Sequence, residues 1–142
     1  LFHKIAYGEK IYQKLRSITD KKVYYVDGSV KSDFREEFKK RMEKNDDVII
    51  VASYGTFSTG ISIKNIHNIF FTESFKSEVI IRQSIGRGLR LKDNDSDATL
   101  YDIADDLTHN EKENYTLSHF RERINIYNEE DFEYEIHNVE LK

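Results

Sequence analysis

The chain has 142 residues, a length that one domain fills and that buries a core without covalent staples. It contains no Cys, which excludes disulfides, thiolate metal sites and a cysteine nucleophile. The net charge is -4 with 34% charged residues, so affinity for nucleic acid has to come from a local basic patch and not from the global field.

Leu1-Phe2-His3 reads as the end of a buried strand, so the chain reads as cut from something longer. Residues 8–18 are helical, with Ile11, Leu15 and Ile18 on one apolar stripe. Lys22–Val26 is a short β-rich run closed by an Asp27-Gly28 turn. Ser32 or Asp33 caps the next helix, with Glu36 in a capping-box relation to Asp33, and Phe34, Phe38 and Met42 face the core. Val48–Ala52 is an unbroken apolar run of the kind found in buried parallel strands. Residues 53–60, small and hydroxylated, read as a loop. Residues 68–72 form another strand. Ser77 caps a helix carrying Val79, Ile80, Ile81 and Ile85, which Gly86 stops. Residues 93–97 are a polar turn and 98–103 a strand. A helix over 111–127 carries Leu117, Phe120, Ile124 and Tyr127, and 132–141 alternates like an edge strand or arm.

Strands alternating with helices predict an α/β fold with a parallel sheet. The expected organisation is a core domain over 1–108 and, packed on it, a helix and strand over 109–142. In such a sheet ligands sit at the carboxyl ends of the strands. Asp27-Gly28 and the loops 53–60, 72–77 and 102–106 all fall there.

The stretch with the most specific chemistry is Gln83-Ser84-Ile85-Gly86-Arg87-Gly88-Leu89-Arg90. Arg is always charged and forks onto phosphate oxygens, and two arginines at i and i+3 can converge on one anion. The competing reading is a helix end whose arginines complement the dipole. The hydroxyls and amides of 53–60 suit a phosphate backbone, or simply a flexible loop. Arg35 faces a cleft or is solvated. His67, His109, His119 and His137 lack metal-ligand spacing. Asp102, Asp105 and Asp106 could hold a metal, but a turn and cap is the simpler reading, and no metal site is assigned. No G-x-x-x-x-G-K-[ST] phosphate loop occurs anywhere. The arginine pair therefore lacks a nucleotide cradle of its own. The nucleotide is assigned to another domain, with the arginines reaching across a cleft as fingers.

These parts, in this order, resemble the second RecA-like domain of superfamily 2 helicases. Gln83 to Arg90 matches motif VI, Q-x-x-G-R-x-x-R. Val51-Ala52-Ser53 through Thr59-Gly60-Ile61-Ser62-Ile63 resembles motif V. Tyr24-Tyr25-Val26-Asp27-Gly28, followed by Arg35, resembles the stretch between motifs IV and V, and Leu1-Phe2-His3 the end of motif IV. The resemblance implies a RecA-like parallel sheet with helices on both faces, a truncated first strand and an appended C-terminal helix and strand. It implies that Arg87 and Arg90 contact the γ-phosphate of ATP, that Gln83 and Gly86 line the nucleotide cleft, and that Gly60 and Ser62 lie near the ribose. Ser62 stands where many relatives carry Asp. His3, Lys4, Gly28 and Ser53 would lie along the nucleic-acid backbone. Because the spacing from Ser53 to Gly60 is one residue longer than in many relatives, Tyr54 can take the contact assigned to Ser53.

The function implied is the C-terminal motor domain of an ATP-dependent DNA helicase or branched-DNA translocase, in DNA repair and recombination. ATP with Mg2+ would be held mainly by an N-terminal RecA-like domain, and this chain alone would be inactive. DNA would be gripped without sequence preference. No apolar run approaches the ~18 residues of a membrane span and no signal-peptide pattern is seen, so a cytoplasmic location is expected, in a bacterium or a phage-infected host. The alternatives are a restriction-system motor subunit, a non-catalytic RecA-like binding module, and a self-contained phosphate-binding enzyme. The last is disfavoured by the lack of a nucleophile–base pair.

Overall fold

Short apolar runs make the strands, and a two-residue segment at the start of the chain joins them. The computed structural model describes residues 1–45, 47–60, 63, 66–89, 98–110 and 112–140, with residues 32, 60 and 87–89 described as backbone only. Strand β1 (Lys22–Val26) pairs in parallel with β2 (Val48–Ala52), Val26 opposite Ala52. Strand β3 (Asn68–Phe71) pairs in parallel with β4 (Thr99–Asp102), Phe71 opposite Asp102. Residues 1–2 lie between the pairs. The Phe2 N–H donates to the Ala52 carbonyl at 3.1 Å, and the Tyr54 N–H to the Phe2 carbonyl at 2.8 Å. On the other side the Thr72 N–H donates to the Leu1 carbonyl at 3.3 Å and the Leu1 amino group to the Phe70 carbonyl. The order across the sheet is therefore β1, β2, residues 1–2, β3, β4. The expected strand end is its central rung.

Successive strand residues face opposite sides. Tyr25 meets Tyr12 of α1 (Ile5–Ile18) at 5.6 Å between ring centroids, and Tyr24 meets Phe38 of α2 (Ser32–Met42) at 5.7 Å. Helices thus cover both faces, as expected. Helices α3 (Tyr54–Gly60), α4 (Glu78–Leu89) and α5 (Tyr115–Glu129) share one core with β3, built from Tyr54, Ile69, Phe71, Ile81, Ile85, Ile126 and Tyr127. Val26, Phe38, Met42 and Ile63 form a second cluster under α2. On the α1 side of β3 and β4, Phe70 stacks on Tyr101 at 4.6 Å and both remain exposed.

Several local expectations are corrected. Residues 54–60 form a helix, not a loop, because Tyr54, Thr56, Phe57 and Ser58 are all buried and tertiary contact outweighs weak propensity. Gly86 does not stop α4, which runs to Leu89. Two glycines cost roughly 1 kcal/mol each, and the buried face of Ile81, Ser84 and Ile85 holds the helix against that. No strand forms over 132–140. After Asp131 turns through a left-handed φ of 54°, the Phe132 N–H caps α5 on the Tyr127 carbonyl at 2.9 Å, and the chain then runs exposed without a strand partner. The N-cap of α2 is Lys31, without a side-chain cap bond, and Phe34 lies exposed against Phe38. Helix α1 starts at Ile5 and includes Gly8, where a Cβ would sit 2.6 Å from the Phe2 ring. Ile18, at its far end, is exposed.

Candidate functional site

All strands run parallel, so their carboxyl ends share one edge of the sheet. His3 and Lys4 emerge there after residues 1–2, Gly28 after β1, Ser53 after β2 and residues 72–77 after β3. The Glu73 carboxylate accepts the main-chain N–H groups of His3 at 2.8 Å and Lys4 at 2.9 Å. Those amides are therefore occupied, and what His3 and Lys4 present to solvent is their exposed side chains. Gly28 is exposed, a Cβ there would meet nothing within 4 Å, and its φ is not left-handed. The fold itself has no need of glycine at that position. Arg35 is half-buried and bonded to its own turn. Its Nε donates to the Val30 carbonyl at 2.9 Å and tethers the turn. In that turn the Ser29 N–H and hydroxyl both donate to Asp27, and these bonds hold the Asp27 carboxyl below its usual range.

Ser53 is the N-cap of α3. Its carbonyl accepts the Phe57 N–H at 2.9 Å, its Oγ accepts the Thr56 N–H at 3.3 Å, and its hydroxyl donates to Thr56 Oγ1 at 2.8 Å. Tyr54 is 1% exposed, stacked on Phe75, with its hydroxyl donating to the Glu73 carbonyl at 3.2 Å. Burial pushes its phenol up. A ring sealed in the core cannot meet a passing strand, so the side-chain contact expected of Tyr54 is withdrawn.

The remaining candidates lie elsewhere. Helices α3 and α4 pack together, and both start at the carboxyl edge and run back along the sheet. Gly60 ends α3, about 10 Å from Ser53 at 1.5 Å per residue. Gln83, exposed, lies midway along α4, and Gly86 and Arg87 fall in its last turns, the latter about 15 Å from Ser77. Ser62 and Arg90 lie outside the described residues. The described candidates thus separate into an edge group (His3, Lys4, Gly28, Ser53) and a far group (Gly60, Gly86, Arg87), with Gln83 midway between them on α4. Ser84, fully buried between them in sequence, is small enough to let helices approach.

One cluster went unread in the sequence. Arg123 of α5 is 1% exposed and grips Asp102, at the end of β4, with Nε and Nη2 each donating at 2.7 Å. Its Nη1 donates to the Phe75 carbonyl at 2.9 Å, and the Tyr127 hydroxyl donates to Asp102 at 2.7 Å. Desolvation works against the Arg123 cation, but the Asp102 carboxylate outweighs it and holds the guanidinium pKa up. Burial, then Asp102, pushes the Tyr127 phenol up. Asp102 is thus an ion-pair partner and not a metal ligand, while Asp106 caps its own turn by accepting the Thr108 N–H at 3.0 Å. The available signal was Arg123 itself, a charge seated among Phe120, Ile124 and Tyr127. Further along, Arg82 of α4 pairs with Glu78 and with Glu129 and Glu130 at the end of α5.

Beside His3 the edge opens into a cleft of about 500 Å³ lined by His3, Ser74, Phe75, Lys76, Ser77, His119 and Glu122. Ser74 Oγ and His119 Nδ1 are 2.8 Å apart, and the His3 and Phe75 rings lie 5.1 Å apart. Among the described residues no three His, Cys, Asp or Glu side chains gather to hold a metal, and no helix is long and apolar enough to cross a membrane.

Residues 3–92 match the family described as helicase conserved C-terminal domain. The chain is 38% identical over 151 residues to a protein of Enterobacteria phage T4 named ATP-dependent DNA helicase uvsW, an alignment covering 99% of this chain and 30% of that protein. Among solved structures it is similar to the C-terminal part of the Fun30 ATPase domain, with a TM-score of 0.60 over 90% of this chain and 46% of that one. At 15% identity that likeness shows the fold. Helix α5 and its Arg123 lie beyond the matched family segment.

Proposed function

The chain belongs to the helicase conserved C-terminal domain family, and on that premise we propose that it is the second motor domain of an ATP-dependent DNA helicase or branched-DNA translocase. The T4 relative is named an ATP-dependent DNA helicase, and this chain spans 30% of its length, which supports a motor completed by a facing RecA-like domain. ATP with Mg2+, when bound between the two domains, supplies the phosphoryl transfer whose free energy drives closing and opening. The donor set of this chain fits the tail of that nucleotide and not the whole of it. Arg87 and Arg90 are assigned as cations for the γ-phosphate and Gln83 as an amide at the cleft, with Gly60 and Ser62 assigned to the ribose and Gly86 to the cleft. The ligands of Mg2+ are assigned to the facing domain. Charge that develops on the transferred group is met by the two arginines.

DNA runs over the carboxyl edge, past the side chains of His3 and Lys4 and over Gly28. Contacts to the phosphate backbone make the grip sequence-independent and salt-sensitive. The observation that supports this reading is the separation of the candidates into two groups at opposite ends of the packed pair α3 and α4. One rigid pair of helices then has a nucleic-acid end and a nucleotide end. Gly28 adds to it, since a glycine that nothing in the fold requires suits the close approach of another backbone.

The test uses the full-length protein. Arg87→Ala and Arg90→Ala should each lower DNA-stimulated ATP hydrolysis on the order of 10³-fold while leaving DNA affinity intact. Gly28→Ala should do the reverse, weakening DNA binding with unstimulated hydrolysis unchanged. Full turnover in both arginine variants would instead favour a non-catalytic RecA-like binding module.

A further inference from the structure

We propose that the cleft beside His3 takes one nucleotide unit of a single-stranded nucleic acid, with the base against the His3–Phe75 wall and the phosphate against Lys76 and His119. This rests on the reading of the chain as a nucleic-acid motor and adds to it a subsite built partly by α5, outside the matched family segment. The position comes from topology. From residues 1–2 the chain leaves for α1 on one face of the sheet, and from the neighbouring β3 it leaves for α4 on the other. The crevice between two such strands is where open α/β sheets bind ligands. At about 500 Å³ it lies within the ~300–1,000 Å³ of sites that enclose one small molecule, which suits a single nucleotide unit and not a duplex.

The lining chemistry is that of a single-strand site, an aromatic platform beside cationic and hydrogen-bonding groups. The platform is the pair of rings from His3 and Phe75. Lys76 is exposed at the cleft, and among the described residues neither its ammonium nor the Ser77 hydroxyl has a partner. His119 uses Nδ1 on Ser74, which leaves Nε2 as the ring atom for a ligand. Glu122, the one acid in the lining, offers an acceptor to a base N–H, the N3–H in the case of thymine. The site is also held rigid. One turn beyond His119 on α5, Arg123 fixes the Phe75 carbonyl, so two side chains of one helix face grip the same loop. His3 belongs both to this lining and to the edge group, so a strand following that edge passes the mouth of the cleft.

The experiment measures binding of a labelled oligothymidylate, and of an abasic strand of equal length, to the full-length protein. Lys76→Ala should weaken both and lower the slope of log affinity against log salt by about 0.7. His3→Ala should weaken oligothymidylate about fivefold more than it weakens the abasic strand, and equal weakening of the two would overturn the base contact. His119→Ala should weaken both strands without loss of the folded state, which Lys76→Ala, at an exposed site, checks independently. Unchanged strand affinity in Lys76→Ala and His119→Ala, with wild-type binding intact, overturns the cleft and leaves the motor reading standing. Weaker binding of a mononucleotide alone, with strand affinity unchanged, overturns it as well. A wild-type protein that binds no DNA overturns both.

Discussion

Asp102→Ala should be among the most damaging single changes in this chain. It removes the acceptor of three hydrogen bonds at once, from Arg123 Nε, Arg123 Nη2 and the Tyr127 hydroxyl, each 2.7 Å long. The Arg123 cation would stay 1% exposed, keeping one hydrogen bond, to the Phe75 carbonyl, and the face of the Phe120 ring. Stranding one member of a buried ion pair costs about 3–5 kcal/mol. Against a total stability of roughly 5–15 kcal/mol, that is a fifth or more. In a chain of this size it corresponds to a fall in Tm of about 10–20 °C. Urea unfolding followed by far-UV circular dichroism measures it, as a lower midpoint with an unchanged slope. The triple variant Asp102→Leu, Arg123→Met, Tyr127→Phe supplies the control. Replacing the whole network by apolar groups of similar volume should recover most of the loss, because the pair's desolvation penalty disappears with it. A loss under about 1 kcal/mol in Asp102→Ala would refute the reasoning, because that is the worth of a solvated surface pair.

Two further outcomes follow from packing and capping. Gly8→Ala forces a methyl to within 2.6 Å of the Phe2 ring and should cost about 1–3 kcal/mol by the same unfolding assay, with the Phe2 rung between β2 and β3 loosening first in hydrogen exchange. Ser53→Ala removes the cap of α3 and should cost about 0.5–2 kcal/mol. A loss of DNA affinity in that variant is therefore informative only at temperatures where the chain remains folded.

How much could be read in advance differs from element to element. The runs Lys22–Val26 and Val48–Ala52 were legible because parallel strands buried on both sides are apolar throughout. The helix over residues 54–60 was not, since Ser, Thr and Gly carry no helical preference. What forms it is the burial of Tyr54 and Phe57 and the cap from Ser53. The reach of α4 past Gly86 was hidden for the same reason. The alternation of Phe132, Tyr134 and Ile136 imitates a strand, but without a neighbouring edge to pair with there is no ladder.

By itself the sequence determined the class of fold, the order of its parts and the two arginines that suit a phosphate. These depend on periodicity, on turn residues and on side-chain charge, which are local properties. Only the tertiary structure decided which candidates stand together. It put His3, Lys4, Gly28 and Ser53 on one edge and Gly60, Gly86 and Arg87 toward the far ends of two packed helices, with Gln83 midway along the second. It took Tyr54 out of the site by burying it, and turned Asp102 from a possible metal ligand into the partner of Arg123. The physical reason is distance along the chain. Asp102 and Arg123 are separated by 21 residues, and Tyr54 and the Glu73 carbonyl by 19. No local pattern encodes such a meeting, which follows only when the strands pair and the helices close over them.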